Sequence, residues 1–228
     1  MSFNNLIKKA KKLRQDCFKA FIEKGEAHLG GSFSMIEIII LLYEKMLKKD
    51  DKFILSKSHA SFPLCILLRE KGLKTKLTTH LEIDPSNGIY CTTGSLGHGL
   101  PIAAGMAFAK KIKREKGNIY VMISDGECQE GTTWETLLIS SKLKLDNLII
   151  FIDYNKIQAL TTLKDGLPLK NLYEKFKSFN CNVINIKNGH SFKEIKKGFS
   201  KIKKGKKPNV LIFNTIKGKG IKKFENDP

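Results

Sequence analysis

The sequence predicts an α/β fold, a doubly wound parallel sheet flanked by helices, and three observations predict it. The runs NIYVMI (118–123), NLIIFI (147–152), NVINI (182–186) and NVLIF (209–213) are short and mostly apolar, as strands buried on both faces are. One helical pattern separates each run from the next, which calls for crossover connections and parallel strands. The chain has 228 residues, 41% hydrophobic and 28% charged, with no Pro, Gly or Ser-rich linker, so residues 1–228 read as one soluble domain.

Leu6, Ala10, Leu13, Cys17 and Phe21 recur at three and four residue steps, marking an amphipathic helix that ends near Gly25. A second helix is expected over 35–47. KFIL (52–55) reads as extended, and a helix follows Ser61, interrupted early by Pro63. Residues 75–94 are irregular. The regular alternation then begins: a helix over 100–113, strand 118–123, helix 130–143, strand 147–152, helix 168–178, strand 182–186, helix 191–203 and strand 209–213. No internal repeat interrupts it.

The formal charge of +19 raises the question of nucleic acid, since dense basic residues displace counterions from phosphate backbones. Composition argues against it. Only Arg14, Arg69 and Arg114 are arginines, whereas base readers lean on the bidentate arginine fork. The lysines are spread along the chain, and runs such as KKAKK (8–12) and KIKKGKK (201–207) read as solvated faces. Cys17, Cys65, Cys91, Cys128 and Cys181 show no CxxC or zinc-like spacing and read as reduced thiols. MSFNNLIKKAKK has no apolar signal core, and the apolar run IEIIILLY (36–43) is short and broken by Glu37. A cytoplasmic protein with no membrane partner is expected.

In a parallel sheet of this kind, ligands collect beyond the carboxyl ends of the strands. Asp125 and Gly126 fall there, directly after YVMIS, and the next strand ends in DYNKIQ, which puts Asn155 just past its own tip. One carboxylate, one amide oxygen and a backbone carbonyl nearby are hard oxygen donors of the kind Mg²⁺ takes, with water and a substrate diphosphate completing its shell. Gly126 leaves room for a phosphate to approach the backbone. Taken alone, Asp-Gly at a strand end is equally well a turn.

The combination SDGECQEGTTWE followed by DYNKIQ resembles the thiamine-diphosphate motif of transketolases. EAHLGGSFS (26–34), DKFILSKSHAS (51–61), THLEIDPSNGIYCTTGSLGHGLPIAAGMA (79–107) and NTIKGKG (214–220) resemble further stretches of that family, in the same order and over nearly the whole chain. The chain looks like the amino-terminal, diphosphate-binding half of a transketolase, of the kind encoded as a separate subunit.

That resemblance implies a set of site residues. Asp125, Asn155 and the main-chain carbonyl of Ile157 would hold Mg²⁺, and Gly126 would offer an amide to the diphosphate. Gly94, Ser95 and Leu96 would form the backbone wall against the aminopyrimidine end of thiamine diphosphate. His28, His59 and His80 match pocket histidines, His59 near the diphosphate and the others at the sugar hydroxyls and reacting carbon, with ring pKa values near neutrality suiting proton transfer. Lys217 is similar to a lysine near the cofactor phosphates. His98 and His190 read as structural, Trp134 as helix packing, and Glu127 and Glu130 as acids capping the following helix.

The implied reaction transfers a two-carbon ketol unit from a ketose, free or phosphorylated, to an aldose. The family takes a glutamate from a second, pyrimidine-binding domain, so a separate carboxyl-terminal transketolase subunit is expected, in a heterotetramer (α2β2) with two cofactors at subunit interfaces. Three departures stand out: Ser124 replaces the first Gly of the family's GDG, Gly31 stands where many members have a serine, and the chain stops at KFENDP before a further pocket histidine of relatives. Either the sequence is cut short there or another residue serves. The rival readings are a subunit of a 2-oxo acid dehydrogenase, a deoxyxylulose-phosphate synthase, and a non-catalytic homologue.

Overall fold

The protein is seen in a computed structural model that describes residues 2–25 and 27–226. Asp227, Pro228 and Glu26, the last being the first residue of the EAHLGGSFS stretch, lie outside the described residues.

Among the described residues five strands form one parallel sheet: β1 (Lys52–Leu55), β2 (Ile119–Ser124), β3 (Leu148–Tyr154), β4 (Asn182–Ile186) and β5 (Asn209–Asn214), in the order β1-β2-β3-β5-β4. β2 and β3 are long, continuous apolar strands and lie inside the sheet, where both faces are covered. Ser124 pairs with Asp153, so the two chains leave the sheet side by side at Asp125 and Asn155.

Among the described residues there are eight α-helices: α1 (Phe3–Lys24), α2 (Leu29–Ser34), α3 (Ile36–Leu41), α4 (Phe62–Glu70), α5 (Gly99–Ile112), α6 (Gly131–Lys142), α7 (Leu172–Ser178) and α8 (Phe192–Phe199). On one face α1, α3, α4 and α8 enclose a core in which Phe151 stacks on Phe199 at 5.4 Å and meets Phe213 edge-on at 5.2 Å. On the other, Val121, Ile123, Ile150 and Ile152 pack against Ala103 and Ala107 of α5, Leu137 of α6 and Phe176 of α7. Each Val, Leu, Ile or Phe side chain among these, removed from water, contributes about 1.5 to 3 kcal/mol. Two cores on opposite faces of one parallel sheet make the fold doubly wound, as the sequence predicts.

Helix ends show where local chemistry is readable and where it is not. α1 starts at Ser2, whose hydroxyl accepts from the Asn5 N–H at 3.4 Å, and stops at Gly25, left-handed at φ 73°. Ala20 rather than Phe21 closes its buried stripe. Pro63 does not interrupt α4. It sits in the first turn, where an N–H has no intrahelical partner to lose. The helix expected over 35–47 is the short α3 continued by a π-helical turn, Leu42–Met46, and α2 precedes it. α7 starts late because Asn171, at φ 51°, is left-handed and cannot continue a helix backwards. α8 is shorter than expected, and its Gly198 packs so close to β4 that a Cβ there would lie 2.7 Å from the Ile186 side chain.

Candidate functional site

At the carboxyl ends of β2 and β3 lies a cavity of about 360 Å³, whose lining includes Asp125, Gly126, Asn155, Ile157, His28, His59, Gly94, Leu96 and Lys217. Sequence positions as far apart as 28 and 217 therefore meet where the strand tips point. Asp125 and Asn155 are both buried and share this space. The Lys156 N–H donates to Asp125 Oδ2 at 2.6 Å, and the Ile157 N–H donates to Asn155 Oδ1 at 3.0 Å, so the loop after β3 folds around both oxygen donors.

The electrostatics at Asp125 oppose its ionisation. Burial, followed by the neighbouring Asp153 carboxylate, pushes Asp125 up to about 7 from an ordinary 3.8. A divalent cation reverses that effect. Among the described residues no three His, Cys, Asp or Glu side chains gather as a ready metal cage. Asp125, Asn155 and Ile157 instead line one cavity, and a carboxylate, an amide oxygen and a carbonyl are the donor types that suit an ion keeping ligands of its own. A Cβ on Gly126 would come no nearer to the Gln158 amide than 3.4 Å, so its backbone is accessible from the cavity. The chemistry of the donor set thus fits Mg²⁺ with a diphosphate.

His28 and His59 stand edge to face, ring centroids 5.3 Å apart. Burial, with the Lys57 ammonium next in importance and His28 after it, lowers His59 to about 3. His59 is therefore neutral across the physiological range and is no near-neutral proton carrier, contrary to the sequence expectation for all three histidines. An NMR titration of the ring protons should leave His59 unshifted between about pH 8 and pH 5, and a midpoint near 6.5 would contradict this geometry.

His80 is exposed and lies outside the cavity lining, beside a second hollow with Thr78 and Glu82. It covers the wall from outside: a Cβ on Gly94 would fall 2.5 Å from its ring. Ser95 is exposed, its hydroxyl within 3.2 Å of His98 Nδ1, while its neighbours Gly94 and Leu96 face the cavity. The Lys217 ammonium donates to the Gln158 carbonyl at 2.7 Å, and its stem runs along Gly30, where a Cβ would come within 2.9 Å.

Two buried charges lie within the stretches DKFILSKSHAS and DYNKIQ, yet neither is among the site residues expected from the sequence. Lys57 and Asp153 are an ion pair, 1% and 0% exposed, and the ammonium also donates to the Gly31 carbonyl at 2.9 Å. The available signal is Asp153 inside DYN, two residues before Asn155 at the tip of an apolar strand. Glu127 does not cap α6. It turns inward and is fully buried, and Glu130, at the N-cap position, makes no side-chain cap either. Trp134 packs on Phe176 and Phe179, with centroids 5.2 and 5.1 Å away. His190 bridges Glu37 (3.0 Å) and the Ile216 N–H (2.9 Å), a structural role. A larger hollow, about 780 Å³, lies between α1 and residues 219–221, but Arg14, Glu37 and His190 in its lining are already bonded to one another.

Residues 4–227 match the family described as transketolase, thiamine diphosphate binding domain. Over 218 residues the chain is 36% identical to the 6-deoxy-6-sulfo-D-fructose transketolase subunit SqwG of Clostridium sp. (strain MSTE9), covering 86% of this chain and 79% of that protein. It is 35% identical to an apulose-4-phosphate transketolase subunit from Actinobacillus succinogenes, over 100% of this chain and 90% of that one. Among solved structures, the transketolase of Campylobacter jejuni superposes with a TM-score of 0.89 at 27% identity; the match covers 100% of this chain but 40% of that longer one.

Proposed function

Because this chain belongs to the transketolase family, as a thiamine-diphosphate-binding domain, we propose that residues 1–228 are the single-domain amino-terminal subunit of a split transketolase. One observation carries the reading: Asp125, Gly126 and Asn155 at adjacent strand tips line the same cavity as His28, His59 and Lys217. The two relatives above are themselves named as subunits, and the chain spans well under half of the single-chain Campylobacter enzyme. The subunit names support a separate carboxyl-terminal subunit, which in this reading supplies the pyrimidine-binding half of an α2β2 assembly.

In this reading Asp125, Asn155 and the Ile157 carbonyl hold Mg²⁺, and Gly126 turns its amide to the diphosphate. His59, kept neutral, donates a hydrogen bond to a phosphate oxygen, and Lys217 sets a positive charge against the same group. Gly94, Ser95 and Leu96 form the wall at the aminopyrimidine end. Thiamine diphosphate, when bound, supplies the nucleophilic carbon and electron sink for breaking and remaking a carbon–carbon bond. The chain's part is to hold and move protons: His28, at the mouth beside His59, takes the proton of the ketose hydroxyl as the two-carbon unit is cut out, and His80 orients the sugar at the rim. Five buried, unpaired cysteines favour a reducing compartment, the cytoplasm; among the described residues no helix is long and apolar enough to cross a membrane.

With its partner, thiamine diphosphate and Mg²⁺, the chain should transfer a ketol unit between ketose and aldose pairs, and it should be inactive alone. Coupled assays across phosphorylated and free sugars test this. A complex inert towards every pair, or transfer by the isolated chain, sinks the reading.

A further inference from the structure

Glu127 is a buried carboxylate that the proposed chemistry leaves unused. Its side chain is fully enclosed, yet among the described residues its hydrogen-bond donors are hydroxyls and amides, with no lysine or arginine. Oε1 accepts from the Ser56 hydroxyl and from the Gly97 N–H at 3.0 Å. Oε2 accepts from the Ser124 N–H at 2.8 Å and from the Ser124 hydroxyl at 3.2 Å. The Ser56 hydroxyl in turn accepts from the Gly99 N–H at 3.1 Å. One side chain thus ties the end of β1, the end of β2 and the segment 97–99 that opens α5.

What it ties down is a wall of the cavity. Gly97 follows Leu96, which with Gly94 faces the cavity. Both backbone groups of Gly97 are held, the N–H by Glu127 and the carbonyl by the Thr132 hydroxyl at 2.9 Å. At φ 83°, and with a Cβ there due 2.7 Å from Thr132 Oγ1, this position has no room to shift. Leu96 is therefore anchored on a residue fixed at both ends, and the Glu127 side chain is one half of that anchor.

We propose that Glu127 is a positioning residue: it sets the Gly94–Leu96 wall, and so gives the site its preference for the thiamine portion of the ligand over diphosphate alone. This rests on the functional reading above. Glutamine is the informative replacement because both carboxylate oxygens act purely as acceptors. Whichever way the amide turns, its NH₂ faces a backbone N–H, that of Gly97 or that of Ser124.

Calorimetric titration of the chain in complex with its partner subunit, in Mg²⁺, compares pyrophosphate with thiamine diphosphate. Wild type should bind thiamine diphosphate the more tightly. Glu127→Gln should weaken thiamine diphosphate by about tenfold or more while pyrophosphate changes less than about twofold, the scale of one hydrogen bond to a charged group. Ser56→Ala, which keeps the carboxylate but removes one of its donors and the acceptor of the Gly99 N–H, should move the same ratio by a smaller factor, and it decides the matter if the glutamine variant does not fold. Equal weakening of both ligands, or of neither, overturns the inference. A wild-type complex with the partner subunit that binds neither ligand overturns the functional reading, and this inference with it.

Discussion

Replacing Asp125 by asparagine should make the ligand-free chain more stable at pH 8 and at the same time cost Mg²⁺-dependent thiamine diphosphate binding about a hundredfold or more. The asparagine keeps an oxygen for the Lys156 N–H and removes only the charge. The sign follows from the raised pKa. Asp125 sits at about 7 in the folded chain against 3.8 unfolded, so the folded form holds its proton more tightly. The penalty is absent below about pH 3.8, grows as pH rises between the two values, and is complete above about 7. A gap of about three pH units corresponds to at most about 4 kcal/mol. At roughly 2 to 4 °C per kcal/mol, that is a readily measured gain in melting temperature. The two proteins should converge near pH 4. With Mg²⁺ and thiamine diphosphate the order reverses, since only wild type gains the binding free energy. Melting curves at both pH values, with and without ligands, check all four corners. A variant less stable than wild type at pH 8 without ligands removes the opposed ionisation of Asp125 from consideration, and undiminished binding removes Asp125 from the metal shell.

How much of this is legible in the sequence depends on the range of the interaction that decides each feature. β2 and β3 are readable because burial on both faces imposes continuous apolar runs, and the position of Asp125 and Asn155 follows from where those runs stop. Gly25 is readable as a helix end because left-handed geometry selects glycine locally. Pro63 misleads, since a proline in the first turn and one in the interior look alike until the start of the helix is known. The π-helical turn at Leu42–Met46 has no residue signature of its own. The buried charges are least legible. Glu127 stands three residues before the N-cap of α6, where acids ordinarily face solvent and the positive helix end, and its partners Ser56 and Gly97 are 71 and 30 positions away. His59 carries a motif but not its protonation state, which burial and Lys57 determine.

Lys57 is the strongest case of that kind, and its removal should be the most damaging single change in the site. Asp153 is fully buried and accepts from Lys57, from the Ser34 hydroxyl at 2.5 Å and from the Thr215 hydroxyl at 2.5 Å. The Lys57 ammonium is the largest influence opposing burial, and the net effect holds Asp153 below its ordinary 3.8. A depressed carboxylate contributes stability that is present above the unfolded value and lost as pH falls through the folded one. Lys57→Met leaves that charge buried with hydroxyls alone, which costs about 3 to 5 kcal/mol. The aspartate then resists ionisation, so the variant should be least stable at high pH and partly recover on mild acidification, opposite to the wild-type trend. Adding Asp153→Asn removes the orphaned charge; its one oxygen still accepts from the Thr215 hydroxyl, while its NH₂ faces Ser34, whose hydroxyl can accept while donating to the Gly31 carbonyl at 2.9 Å, and stability should return to within about 1 kcal/mol, as replaced buried pairs commonly do. Ketol transfer should not return in the double variant, because the cation beside His59 and Gly31 is still missing from the cavity. Denaturant melts of wild type, both single variants and the double close the cycle. A single Lys57→Met that costs less than about 1 kcal/mol would mean that water, not protein, surrounds Asp153.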